Sequence, residues 1–211
     1  MTIKAIIFDL DGTLADTLPI CVRALKDVFQ QYLGVDYSTA EIFEMFGPTE
    51  EGILRTRVSA DAFPGALELY LRRYRELHEF LPEAFPGVIH LLSLLRERGT
   101  RVGIVTGKGP HSAEISMHVL GLEPYIEQII TGHEHGTDKS PSIRKMLDGW
   151  GVPPEQAAYV GDMIYDMRAA REAGVLPLAA AWAGTETFHE SDGAAKVFTS
   201  VDEMIRWAKT V

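Results

Sequence analysis

Cysteine is almost absent: Cys21 is the only one in 211 residues, so no internal disulfide can form. Positive charge is scarce as well. Twenty Lys and Arg stand against thirty Asp and Glu, for a formal net charge of −10, and no basic run interrupts that acidic background, which argues against a nucleic-acid or anionic-membrane surface. An anionic substrate would need local positive groups. No apolar run approaches the length of a membrane span, and the first residues lack the basic, apolar, small-residue order of a signal peptide. Internal repeats and low-complexity tracts are missing too. A reducing, cytoplasmic setting is expected.

Apolar residues are plentiful, at 46%, enough for a sizeable core in one large domain or a domain with a smaller insert. One stretch organises the rest: Ala5-Ile6-Ile7-Phe8-Asp9-Leu10-Asp11-Gly12-Thr13-Leu14. Ala5 to Phe8 read as a strand buried on both faces, as in a parallel sheet. Asp9 and Asp11 follow at a spacing of two, on the same side of an extended chain, and Gly12 permits a tight turn. Two acids held together repel, so the pair calls for a cation or a shared proton.

After Leu14 the pattern becomes helical. Pro19 to Leu33 places Ile20, Ala24, Leu25, Val28 and Phe29 on one stripe, with Gly34 where the helix ends. Ser38 and Glu41 form a capping-box pattern for a short helix to Phe46, Gly47-Pro48 breaks it, and Thr49 opens another with Glu50 and Glu51 in its first turn. A fourth helix is expected from Pro64 to Leu81, burying Leu67, Tyr70, Leu71, Tyr74 and Leu77, and Pro82 and Pro86 punctuate the return. From Gly87 short apolar segments alternate with helices, as in a doubly wound sheet. The expected architecture is α/β: a doubly wound, mainly parallel sheet in residues 1–15 and 85–211, with an inserted α-helical cap domain in 16–84.

The polar residues mark where function lies. Asp9, Asp11, Thr106 and Asp162 each follow an apolar strand at its C-terminal end, the edge at which open α/β sheets bind ligands. Asp166 lies one helical turn beyond Asp162 and can face the same side. Four carboxylates then surround a small volume, an oxygen-only donor set that suits Mg²⁺ better than zinc or copper. Opposite stand Thr106, the turn at Gly107 and Lys139, a hydroxyl, a backbone N–H and an ammonium suited to phosphoryl oxygens.

These residues resemble the motifs of the haloacid dehalogenase-like hydrolase superfamily, in its phosphoglycolate-phosphatase-like group. Asp9 to Leu14 match the first motif, Thr106-Gly107-Lys108 the second, Lys139 the third, and Gly161-Asp162 with Asp166 the fourth. The resemblance implies a Mg²⁺-dependent phosphatase of small phosphomonoesters, with Asp9 as nucleophile and Asp11 as general acid and base. It also implies a metal held by Asp9, the Asp11 backbone carbonyl and Asp162, with Asp166 in support. A sugar-phosphate mutase of the same fold, or a binding protein without turnover, are the alternatives. Two departures from the family pattern stand out. Ser140 separates Lys139 from Pro141, where the family has proline directly after its lysine, and Met163 takes the place of a small hydroxyl residue. Lys108 competes with Lys139 for the role of phosphate ammonium.

The Gly47-Pro48-Thr49-Glu50 break is a candidate selecting loop, with Gly47, Thr49 and Glu50 hanging into the crevice. His133 and His135 read as a surface loop rather than a metal pair, and Arg55, Arg57, Arg72, Arg73 and Arg75 as solvated cap faces. Cys21 reads as a small buried apolar residue. The expected partner is a small phosphorylated metabolite, with no nucleic acid and no membrane. The oligomeric state is not legible.

Overall fold

The structure, a computed structural model, describes residues 2–80 and 83–211. Its centre is β1 (Ala5–Phe8), every residue of which is buried. On one side β1 pairs in parallel with β2 (Arg101–Val105), which pairs with β3 (Gln128–Ile130). On the other it pairs with β4 (Ala157–Gly161), followed by β5 (Leu176–Ala180) and β6 (Lys196–Phe198). The order β3-β2-β1-β4-β5-β6 is parallel throughout. The chain therefore winds outward in both directions from β1, and the ligand crevice of such a sheet opens at that reversal.

Alternation along the strands explains the two helical layers. Ile6 and Phe8 pack with α5 (Val88–Glu97), α6 (Pro110–Val119) and α9 (Val201–Ala208) through Leu91, Leu92, Ala113 and Met204. Ala5 and Ile7 point the other way, onto α7 (Lys139–Trp150) and α8 (Ile164–Ala173) through Ile143, Met146, Leu147 and Ala170. No helix among the described residues is long and apolar enough to cross a membrane.

Between β1 and α5 lie α1 (Leu18–Leu33), α2 (Thr39–Phe43), α3 (Glu50–Arg57) and α4 (Phe63–His78), packed around a separate core of Val22, Leu25, Val28, Phe29, Ile53, Leu54 and Tyr70. Local chemistry sets their ends. The Ser38–Glu41 capping box forms, Thr49 caps α3 by accepting from the Gly52 N–H at 3.3 Å, and the chain leaves α1 through Gly34 in the left-handed region.

The fourth helix differs from its sequence pattern. It ends at His78, with Glu79 as its C-cap, and Leu81 and Pro82 lie outside the described residues. Of the expected stripe only Tyr70 and Tyr74 are fully buried; Leu67, Leu71 and Leu77 are half-buried, and Ala66, Leu69 and His78 take the most buried face. The reason is a polar seam. The helix packs not only on α1 but also on α6, where the Ser116 hydroxyl meets Tyr74 Oη at 2.8 Å and His78 Nε2 at 3.0 Å. Apolar periodicity gives no weight to a histidine.

Candidate active site

Three strand ends supply the site. Asp9 follows β1, Thr106 follows β2 and Asp162 follows β4, and the parallel register sets them side by side. All three are buried. Asp166 joins them from the first turn of α8, where it is completely buried and accepts the Met163 N–H at 3.1 Å. Carboxylate oxygens of Asp9, Asp162 and Asp166 lie within 4.8 Å of one another.

The turn after β1 makes this crowding possible. Gly12 adopts φ +73°, and a Cβ at that position would stand 2.1 Å from Asp162 Oδ2. Only glycine lets the turn come so close to the acid. Thr13 then donates to Asp162 Oδ1 at 3.2 Å, and the loop after β5 closes over the turn through Trp182 Nε1, which donates to the Thr13 carbonyl at 3.0 Å.

Lys139 is drawn into the cluster. Its Nζ lies 2.6 Å from Asp9 Oδ2 and 2.6 Å from Asp166 Oδ1, with all three side chains buried. The inserted Ser140 moves Pro141 one place along α7, to its third residue. There the missing N–H costs no helical bond, since the first turn has no intrahelical acceptor for it. Lys139 keeps the first position of the helix, beside the acids.

The electrostatics leave room for a cation. Burial pushes the Asp9 carboxyl up, the Lys139 ammonium pulls it back, and the Asp166 charge adds to the rise. Burial, with the charge of Asp9, pushes Asp162 up to about 7. Asp162 Oδ2 is buried with no hydrogen-bond partner among the described residues. A buried carboxylate oxygen without a donor is costly unless it takes a proton or a metal, and an all-oxygen set of this density fits a hard divalent cation such as Mg²⁺. The residues present fit the group.

Asp11 is placed differently from the fourth carboxylate of a single ring. Its side chain is not part of that three-acid group and is held instead by Thr17 and Lys108. The Thr17 hydroxyl donates to Asp11 Oδ1, and Lys108 Nζ lies 3.2 and 3.4 Å from Oδ1 and Oδ2. The two lysines therefore divide the site, Lys139 with Asp9 and Lys108 with Asp11. Thr106 Oγ accepts the Lys108 N–H at 3.3 Å, and the Thr106 N–H is tied to the Ile130 carbonyl.

Of the Gly47–Glu50 loop, Thr49 and Glu50 meet the core, while Gly47 is exposed. Thr49 and Glu50 are buried, the Thr49 N–H donates to the His133 carbonyl, and the Glu50 carboxylate is turned to Lys108 at 3.2 Å. His133 and His135 lie in the loop after β3 that receives this contact, and no metal group among the described residues includes them. Arg55 reaches Glu134 of the same loop at 2.9 Å, while Arg73 pairs with Asp27 and Glu76. Cys21 is buried, and its thiol is pushed up to about 12, chiefly by burial, so it is neutral. Sequence reasoning missed Thr17 and also Ser112, whose hydroxyl donates to Glu50 Oε1 at 2.9 Å. Thr17 stands before α1, where a threonine usually caps; its side chain instead serves Asp11, which only the folded turn reveals.

Comparison with known proteins places the chain in a family. The family described as haloacid dehalogenase-like hydrolase matches residues 6–180. The pyrophosphatase PpaX of Bacillus pumilus is 28% identical over 183 residues, covering 86% of this chain and 84% of its own. The phosphoglycolate phosphatase of Rhodospirillum rubrum is 31% identical over 221 residues, covering 97% and 90%. Among solved structures, CbbY from Rhodobacter sphaeroides in complex with phosphate superposes with a TM-score of 0.79 at 24% identity over 96% of each chain, a likeness of fold. The chain belongs to the haloacid dehalogenase-like hydrolases.

Proposed function

We propose that this chain is a Mg²⁺-dependent phosphatase acting on a small phosphomonoester through an aspartyl-phosphate on Asp9. The observation that carries the reading is the buried Asp9 carboxylate, held by Lys139 and crowded by Asp162 and Asp166 at the C-terminal edge of the sheet. Asp9 is the one acid of the cluster at the end of the central strand, beside Thr106 and Gly107. Those two, with Lys139, would hold the transferring phosphoryl oxygens.

Asp9, the Asp11 backbone carbonyl, Asp162 and Asp166 would hold the metal, which when bound supplies charge neutralisation for the phosphoryl group. The Asp9 carboxylate attacks phosphorus, and the bond to the leaving oxygen breaks as Asp11 gives that oxygen its proton. Asp11 then takes a proton from water, whose oxygen attacks phosphorus and frees Asp9 and inorganic phosphate. The helices over the site exclude bulk water while the acyl phosphate exists. The Gly47, Thr49 and Glu50 loop walls the leaving-group side. The lone cysteine, with no internal disulfide to form, supports a cytoplasmic setting.

The test is phosphate release from a panel that includes phosphoglycolate, sugar phosphates and pyrophosphate, with Mg²⁺ and with chelator, for the native chain and Asp9→Asn. Release that requires Mg²⁺ and falls by at least about 10³-fold in the folded variant is expected. Release unaffected by the substitution would overturn the assignment of Asp9. Transfer to a second sugar hydroxyl without free phosphate would mark a mutase.

A further inference from the structure

We infer that Lys108 and Glu50 form a latch between the inserted helices and the sheet domain, and that the latch positions Asp11; the inference rests on the acid-base role proposed for Asp11 above. The two residues are 58 apart in sequence, one on each side of the seam between the helices and the core. Lys108 follows β2, and Glu50 is the first residue of α3. Their side chains are 1% and 6% exposed.

The Glu50 carboxylate is saturated by donors. Oε1 receives Lys108 Nζ at 3.2 Å, the Ser112 hydroxyl at 2.9 Å and the Tyr70 hydroxyl at 3.2 Å, and Oε2 receives the Gly109 N–H at 2.9 Å. Three of these four donors belong to the core and one to α4. Burial alone would push this carboxyl up, yet the Lys108 ammonium and the Gly109 and Ser112 donors more than offset it and hold it below its ordinary value. Such a carboxylate is an anchor rather than a free reader of substrate. Lifting the helices would strip all three core donors from it at once.

Lys108 carries the closure to Asp11. Its ammonium touches Glu50, both oxygens of Asp11 and, at 4.6 Å, the face of the Tyr74 ring on α4. The other restraint on Asp11 is the hydroxyl of Thr17, immediately before α1. Asp11 is thus gripped at two points, and both depend on where the inserted helices sit. A buried ion pair gives little net stability over an apolar pair of the same size, so closing the lid does not by itself require Lys108 and Glu50. What an apolar pair could not do is hold a third carboxylate in one orientation. Because the cluster around Asp9 is buried in this closed form, substrate must enter with the latch released, and Asp11 is aligned only when it shuts.

The test exploits a property of general acids: they matter in proportion to the basicity of the leaving group. Rates are compared for an alkyl phosphate, whose alkoxide must be protonated, and p-nitrophenyl phosphate, whose phenolate leaves without help. For Lys108→Met and Glu50→Gln the alkyl-to-aryl ratio of kcat should fall by at least about tenfold, in the same direction as for Asp11→Asn. The double variant should be no worse than Lys108→Met, since both act through one contact. An unchanged ratio, with both substrates slowed alike, would overturn the positioning role. Hydrogen exchange checks the latch without turnover: in Lys108→Met the Gly109 amide, which donates to Glu50, should exchange at least about tenfold faster, and unchanged protection there would overturn it. Failure of the phosphatase reading looks different, because the native chain would then release phosphate from neither ester while the exchange result still stands or falls alone.

Discussion

Lys139 is held by the acids that surround it, and its worth lies in what its absence would leave behind. Asp9 and Asp166 hold its ammonium at 2.6 Å each, and their charges raise its proton affinity well above the ordinary lysine value despite a burial that would lower it. Removing one member of a buried ionic group strands the others, at a penalty of about 3–5 kcal/mol. For a chain of this size that is a fall of roughly 10 °C in Tm. Lys139→Met should therefore melt markedly earlier than the native chain in chelator, and Mg²⁺ should return part of the loss by giving the two acids another cation. A scanning-calorimetry trace that does not move in chelator would mean that the fold does not need the Lys139 ammonium between Asp9 and Asp166.

At the scale of elements, α3 offers a test in which helix propensity and packing oppose each other. Gly52 sits inside α3, where alanine would ordinarily stabilise by about 1 kcal/mol. A Cβ at Gly52, however, would lie 2.3 Å from the Glu134 backbone oxygen of the loop after β3. That neighbour is main chain and cannot rotate aside, so Gly52→Ala should destabilise the chain by about 1–3 kcal/mol and loosen α3 from the core. Chemical denaturation reads the sign, and a gain in stability would show that the helices do not dock on this loop. The same contact shows what a sequence can and cannot display. The strands ending at Phe8, Val105 and Gly161 were legible because residues buried on both faces leave unbroken apolar runs, and Asp9, Thr106 and Asp162 were legible because polarity starts where those runs stop. The caps at Ser38 and Thr49 were legible from local chemistry. The α4 face was not, because its partner α6 is distant in sequence and the contact runs through Ser116, Tyr74 and His78 rather than through leucines. Nor did spacing show that Asp11 would turn to Thr17 and Lys108, since the bend at Gly12 breaks the extended geometry that a spacing of two assumes.

For the whole molecule, folding, proton uptake and cation binding are one linked equilibrium centred on Asp162. Its carboxyl moves from an ordinary value of 3.8 to about 7 in the fold, mainly through burial and with the charge of Asp9 adding to it. Between those two values the folded chain binds more protons than the unfolded one, so without a cation stability must fall as pH rises through that interval and level off above it. Asp9, also raised, acts in the same direction. A divalent cation needs these oxygens ionised, so it displaces the protons, and its apparent affinity climbs with pH until Asp162 has titrated. Stabilisation by ligand follows affinity logarithmically. The rise in Tm on adding about 10 mM Mg²⁺ should therefore be small near pH 5 and clearly larger near pH 8, with the difference removed in Asp162→Asn. Equal rises at the two pH values would place the cation elsewhere on this acidic chain, where exposed carboxylates are already ionised at pH 5 and offer no such dependence.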